Sequence, residues 1–190
     1  MFDLILLNIL WLLCSVPFIT IGASTTALYS VTLKMAANEE GYIIRGFWDA
    51  FKKSFKQSTL VWLILLAVGA VLGMDIVIIS SKLQGVALNA GLLFIGSVSV
   101  IYLIELTFVF PIIAKFENST LNTIKNAVLI PLARLPFTLP VLILTAACLI
   151  LTLLNQTTVM AGAVIWSMIG GALLAFANSF LMREMFKPFV

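Results

Sequence analysis

Long apolar runs alternate with two short polar windows along this chain, and the alternation predicts its elements. Apolar runs occupy residues 4–19, 60–80, 88–114, 135–154 and 160–182. A helix needs about 20 apolar residues to cross the roughly 30 Å hydrocarbon layer of a bilayer. Four runs meet or exceed that length. The first, interrupted by Pro17, is short for a span. The pattern therefore predicts an all-α, polytopic membrane bundle of one domain with about five transmembrane helices. The segment Thr20–Lys34 is rich in small and hydroxylated residues. It reads as a helix continuing past a kink at Pro17, or as the returning arm of a hairpin. The kinked continuation is the preferred reading.

The first polar window holds an amphipathic helix over 41–56. Ile43, Ile44, Phe47, Trp48, Phe51 and Phe55 recur at helical spacing, while Arg45, Asp49, Lys52, Lys53 and Lys56 fall on the other side. An aromatic and basic helix of this kind, bounded by apolar runs, is expected to lie along a membrane surface. Phe47, Trp48, Phe51, Phe55, Lys52 and Lys53 are its candidate contacts with a partner or with lipid. The second window carries a thinner stripe, and a second interfacial helix is expected at 118–130. The two windows share a weak plan of interfacial helix followed by span.

Charge orients this arrangement. The window 34–56 carries five Lys and Arg, the window 115–134 three and the C-terminal tail two, whereas the turn at Ser81–Gly85 has only Lys82 and the turn at Asn155 has none. Basic residues gather on the cytoplasmic side. The C-terminus is therefore expected inside, on the cytoplasmic side, and, with five spans, the N-terminus outside. The net charge of +3 then marks orientation and attraction to anionic lipid, not nucleic acid. The opening lacks a signal-peptide pattern, so residues 1–19 are expected to be retained.

Composition narrows the chemistry. The chain is 62% hydrophobic and only 10% charged, too apolar for a water-soluble core alone. It has no histidine, which removes the commonest general base and metal ligand. Cys14 and Cys148 sit in apolar runs without CxxC spacing, as small hydrophobes do. No nucleotide loop or hydrolase motif occurs. An enzyme, a cofactor and a bound metal are all unexpected. Two carboxylates, Asp75 and Glu105, lie inside predicted spans, where ionisable groups suggest function. At 1.5 Å per residue they sit about 9 Å and about 25 Å from the outer surface, too far apart to act as a pair. With Asn178 they form the candidate intramembrane polar set, and Glu105 carries the alternative reading of a small transporter or channel. Small residues that permit close helix packing recur at Gly69 and Gly73 and at Ala163, Ser167, Gly171 and Ala175, with Gly162 and Gly170 beside them. They suit packing within the chain, and leave room for a homo-oligomeric contact.

Several segments are similar to one known family: Leu-Asn-Ile-Leu-Trp-Leu-Leu-Cys at 7–14, Thr-Ile-Gly-Ala-Ser-Thr-Thr-Ala-Leu-Tyr at 20–29, Glu-Glu-Gly-Tyr at 39–42, Phe-Lys-Lys-Ser-Phe-Lys-Gln at 51–57, Phe-Glu-Asn at 116–118 and Asn-Ser-Phe at 178–180. Together they resemble the YesL family of small bacterial integral membrane proteins. The resemblance implies a link to oligosaccharide uptake through carbohydrate ABC importers, and the leading expectation is a non-enzymatic accessory subunit with the importer permease as its partner. It carries over no catalytic residue.

Overall fold

The computed structural model describes residues 2–39 and 41–189; Glu40, inside the first polar window, lies outside the described residues. The helices are α1 (Phe2–Ser15), α2 (Ile21–Ala36), α3 (Ile43–Lys82), α4 (Gly85–Lys115), α5 (Thr120–Ala133), α6 (Leu135–Leu153), α7 (Gln156–Ile165) and α8 (Gly171–Phe186). A π-helical turn, Trp166–Gly170, joins α7 to α8. No strand occurs among the described residues. Four helical segments are long and apolar enough to cross a membrane: Ile43–Lys82, Gly85–Lys115, Leu135–Leu153 and Gln156–Phe189.

The first expected span is a shorter apolar helix than the four that reach full spanning length. Helix α1 has 14 residues, about 21 Å at 1.5 Å per residue, well short of the hydrocarbon thickness. It ends two residues before Pro17, as the steric limits around proline favour. The Thr20 hydroxyl donates to Cys14 O at 2.6 Å and Pro17 O at 2.7 Å, closing a tight reversal. Beyond it Trp11 Nε1 donates to Thr25 Oγ1 at 3.2 Å, and the hydroxyls of Ser15 and Ser24 lie 2.7 Å apart. Residues 11 and 25 in one continuous helix would be about 21 Å apart. The segment Thr20–Lys34 is therefore the returning arm of a hairpin, and the kinked continuation is corrected. The start of α1 then points to the side where α2 ends, and Arg183 Nη1 on α8 donates to Ala36 O there at 2.8 Å. The expected placement of the two chain ends on opposite sides is corrected with it.

Helix α2 is the hub, with eleven of its sixteen residues buried. Its small and hydroxylated residues meet α3 and α8. Gly22 lets α3 approach so closely that a Cβ there would lie 2.5 Å from Ser58 O and 2.7 Å from Trp62 Cβ. Thr26 shares a buried hydroxyl contact of 2.8 Å with Ser58. Thr32 accepts from Ser179 on α8 at 2.9 Å. These contacts satisfy hydroxyls where water is scarce and let backbones pack at short range.

The expected interfacial helix over 41–56 and the span over 60–80 are one continuous helix, α3. Its 40 residues extend about 60 Å, roughly twice the hydrocarbon thickness. The polar stretch at Gln57–Ser58–Thr59 does not break it. Gln57 Nε2 donates to Asn118 O at 2.9 Å and to Thr123 Oγ1 at 3.0 Å, and Ser58 faces Thr26. Tertiary partners take up Gln57 and Ser58, while Thr59 Oγ1 is buried without a partner among the described residues, and neither Gly nor Pro stops the helix there. The second window behaves differently. Helix α5 ends at Ala133, and α6 begins at Leu135, just before Pro136. The Thr138 hydroxyl donates to Pro131 O at 2.7 Å and Arg134 O at 3.2 Å, taking up carbonyls at the corner. A separate helix, α5, thus covers the segment 118–130 where the second interfacial helix was expected.

Beyond the α1–α2 hairpin tip, α3 and α4 continue as a pair with apolar side chains facing outward, among them Val77, Leu93 and Phe94. Exposed Ile143, Leu151 and Met160 do the same on α6 and α7. So much contiguous apolar surface requires lipid as its solvent.

Candidate functional site

Three features carry polar chemistry or an exposed aromatic surface: the outer flank of α3, a cleft beside it, and a buried polar lock between α1 and the π turn. On α3, Phe47 is fully buried and stacks on Phe51, with ring centroids 6.2 Å apart. It belongs to the core and is corrected as a contact residue. Trp48 and Phe55 are exposed and Phe51 is half-buried. Edge contacts of 5.7 Å and 5.4 Å join the three into one ridge. Lys52 is exposed beside it. Lys53 points the other way, to an ion pair with Glu117 in the α4–α5 corner. The Lys53 ammonium holds the Glu117 carboxyl below the usual carboxylate range.

On the far side of α3 from the ridge lies a cleft of about 690 Å³ between α2, α3 and that corner. Lys34, Lys53 and Lys115 line it from three different helices, with Asp49 and Glu117 between them. Ser30, Ser54 and Asn118 add neutral polar groups, and Ile113 and Phe116 an apolar wall. Sequence reasoning used Lys34 and Lys115 only as orientation charges. Nothing in their spacing announces that the α1–α2 reversal and the α4–α5 corner bring them together.

The predicted intramembrane set does not assemble. Tyr102 OH donates to Leu65 O at 3.1 Å, which fixes the register of α4 against α3. Glu105 therefore sits near the level of Leu65, and Asp75 about 15 Å further along α3. Both are half-buried, and neither joins a hydrogen bond or ion pair among the described residues. Asn178 is buried on α8 and donates to Thr145 Oγ1 at 3.1 Å. Glu105 does not line the cleft.

The small-residue positions divide. Gly69 seats the Tyr102 ring, whose hydroxyl would lie 2.6 Å from an added Cβ, whereas Gly73 faces open space. Gly171 packs under Trp11, and Ala175 is buried, but Ala163 and Ser167 are exposed. The stripe is cut by the π turn, which rotates the helix so that Gly162 and Gly170 take the inner face. Gly162 meets Thr152 on α6.

Sequence reasoning passed over the residue that holds this turn. Asn8 is fully buried in α1. Its Nδ2 donates to Trp166 O and Ser167 O, each at 3.0 Å, and its Oδ1 accepts from Ala172 N at 2.9 Å. One amide thus serves three backbone groups at a place where water cannot. The available signal was a lone asparagine inside an otherwise apolar run.

These features define a polytopic helical membrane protein built around a short hairpin. Residues 4–76, which hold that hairpin and most of α3, match the family described as "Protein of unknown function, DUF624". The chain is similar to "Uncharacterized protein YteU" of Bacillus subtilis (strain 168), with 27% identity over 150 residues. That alignment covers 74% of this chain and 64% of the relative, so the match spans less than two thirds of the relative's length. No solved structure matches. The two matches are consistent with the resemblance to a YesL-like family.

Proposed function

We propose that this chain is a non-catalytic accessory protein of the bacterial plasma membrane, with the starts of α3 and α5 and the C-terminus in the cytoplasm. The observation that carries the proposal is the continuity of α3. A helix of about 60 Å extends well past a bilayer's hydrocarbon layer, and its inner half is braced by α2. There it presents Trp48 and Phe55 with Lys52 on an outer flank. Aromatic anchors beside a cation on a rigid helix suit docking to a partner protein. The basic residues at Lys52, Lys56, Lys125 and Lys187 support the cytoplasmic placement of that end. The partner proposed is the permease of a carbohydrate ABC importer, as the YesL-like resemblance implies.

Co-purification from the native membrane in mild detergent tests the proposal. The wild-type chain should retain the permease, and Trp48→Ala with Phe55→Ala should lose it and reduce sugar uptake. Absence of a permease, with unchanged uptake in the double variant, refutes the reading. Labelling supplies an independent check. Cysteines at Lys82 and Asn155 should react in intact cells, and reaction only after lysis would invert the topology.

A further inference from the structure

We propose that the cleft between α2, α3 and the α4–α5 corner binds a phosphoester that also carries hydroxyl or ammonium groups. Such a group is presented by a glycerophospholipid headgroup or by a free sugar phosphate or glycerol phosphate. The cleft's volume of about 690 Å³ falls within the roughly 300–1,000 Å³ of small-molecule sites. Lys34, Lys53 and Lys115 reach it from three helices. Ammonium groups are strong donors to phosphate oxygens. Lys34 and Lys115 lie in the last turns of their helices, where helix dipoles favour cations. Lys53 is held in place by Glu117, so part of the site is formed before a ligand arrives.

The two carboxylates narrow the ligand. Asp49 and Glu117 would repel a molecule that offered only negative charge, but they accept hydrogen bonds from hydroxyls or an ammonium. A ligand with phosphate at one end and such donors at the other matches both sets. Ile113 and Phe116 form an apolar wall near the end of α4. At the border of the apolar belt, that wall suits the start of an acyl chain or the face of a sugar ring.

Full-length protein tests the assignment in two arms. Glycerol 3-phosphate and glucose 6-phosphate are titrated against the detergent-solubilised chain by calorimetry. Native mass spectrometry then reads which lipids stay bound from nanodiscs of phosphatidylcholine mixed with phosphatidylglycerol and phosphatidylethanolamine. Binding in the first arm identifies a free phosphoester, and selective retention in the second identifies a headgroup. In either case Lys34→Gln with Lys115→Gln should weaken binding about tenfold per lysine, the scale of one charge-assisted hydrogen bond. The charge-matched pair Lys56→Gln with Lys125→Gln, outside the cleft, should leave it within about threefold. If the first pair fails to fold, Ser54→Leu, which fills the cleft without changing charge, is read in its place. No binding in either arm, or equal weakening by both lysine pairs, overturns the proposal.

Discussion

Replacing Asn8 by Leu should be among the most damaging single changes in this chain, although the two side chains are similar in size. The wild-type amide makes three hydrogen bonds: two to carbonyls of the π turn and one from Ala172 N. Leucine fills the space, so the loss is polar and not a cavity. Interhelical hydrogen bonds inside membrane proteins contribute about 0.6 kcal/mol on average and up to about 1.7. Three of them give about 2–5 kcal/mol. A buried backbone group left without a partner costs about 1–3 kcal/mol, which places the expected loss in the upper half of that range. The assay is reversible unfolding in mixed micelles, with hydrogen exchange followed across 165–172. Exchange there should quicken selectively, because the carbonyls of a wide turn are not taken up by the ordinary helix ladder. Asn8→Asp keeps an acceptor for Ala172 N but sets a carboxylate oxygen against the carbonyls of Trp166 and Ser167, so it should lose at least as much as Asn8→Leu. An Asn8→Leu protein within about 0.5 kcal/mol of wild type, with unchanged exchange at the turn, would refute the lock.

Other outcomes follow from single contacts. Gly22→Ala should destabilise by about 1–3 kcal/mol, since its Cβ meets backbone at Ser58 O and overpacking costs that much; Gly73→Ala, facing open space, should stay within about 0.5 kcal/mol of wild type, and similar losses at both sites would contradict the packing. In a background lacking Cys14 and Cys148, Ser15→Cys with Ser24→Cys should cross-link within one chain on mild oxidation, because the hairpin sets their side-chain oxygens 2.7 Å apart; a kinked continuous helix could not form that bridge. Glu117 has a carboxyl pKa lowered by Lys53, so its contribution is fully present above the unfolded carboxylate value of about 4.3 and is lost as pH falls through the lower folded value. Wild type should therefore lose thermal stability relative to Glu117→Gln only in acid, and a pH-independent difference would contradict the ion pair.

The candidate sites were legible in part. The aromatic stripe of α3 follows from spacing alone, yet spacing cannot tell Phe47, which is fully buried, from Trp48, which stays 40% exposed. Lys34 and Lys115 are 81 positions apart, and only two chain reversals bring them to one cleft. Asn8 stood out as a polar residue in an apolar run, but its partner is a π turn 158 residues away. That turn has no local signature, because it exists where a side chain from another helix can satisfy it. The polar stretch at 57–59 resembled a boundary because polar residues end apolar runs. In the fold Gln57 and Ser58 bond sideways to the α4–α5 corner, α5 and α2, and the helix passes through.

What the sequence alone determined is therefore one-dimensional: an all-helical membrane chain, its apolar runs, its uneven distribution of basic residues and its YesL-like segments. Hydropathy and charge act residue by residue against an external solvent, so they can be read without knowing any neighbour. The tertiary structure alone decided that the first apolar run is half of a hairpin, that α3 is continuous, and that the small-residue stripe is cut at Trp166–Gly170. Each of those depends on which distant group satisfies a buried polar atom, and a linear pattern of apolar and polar residues does not contain that pairing.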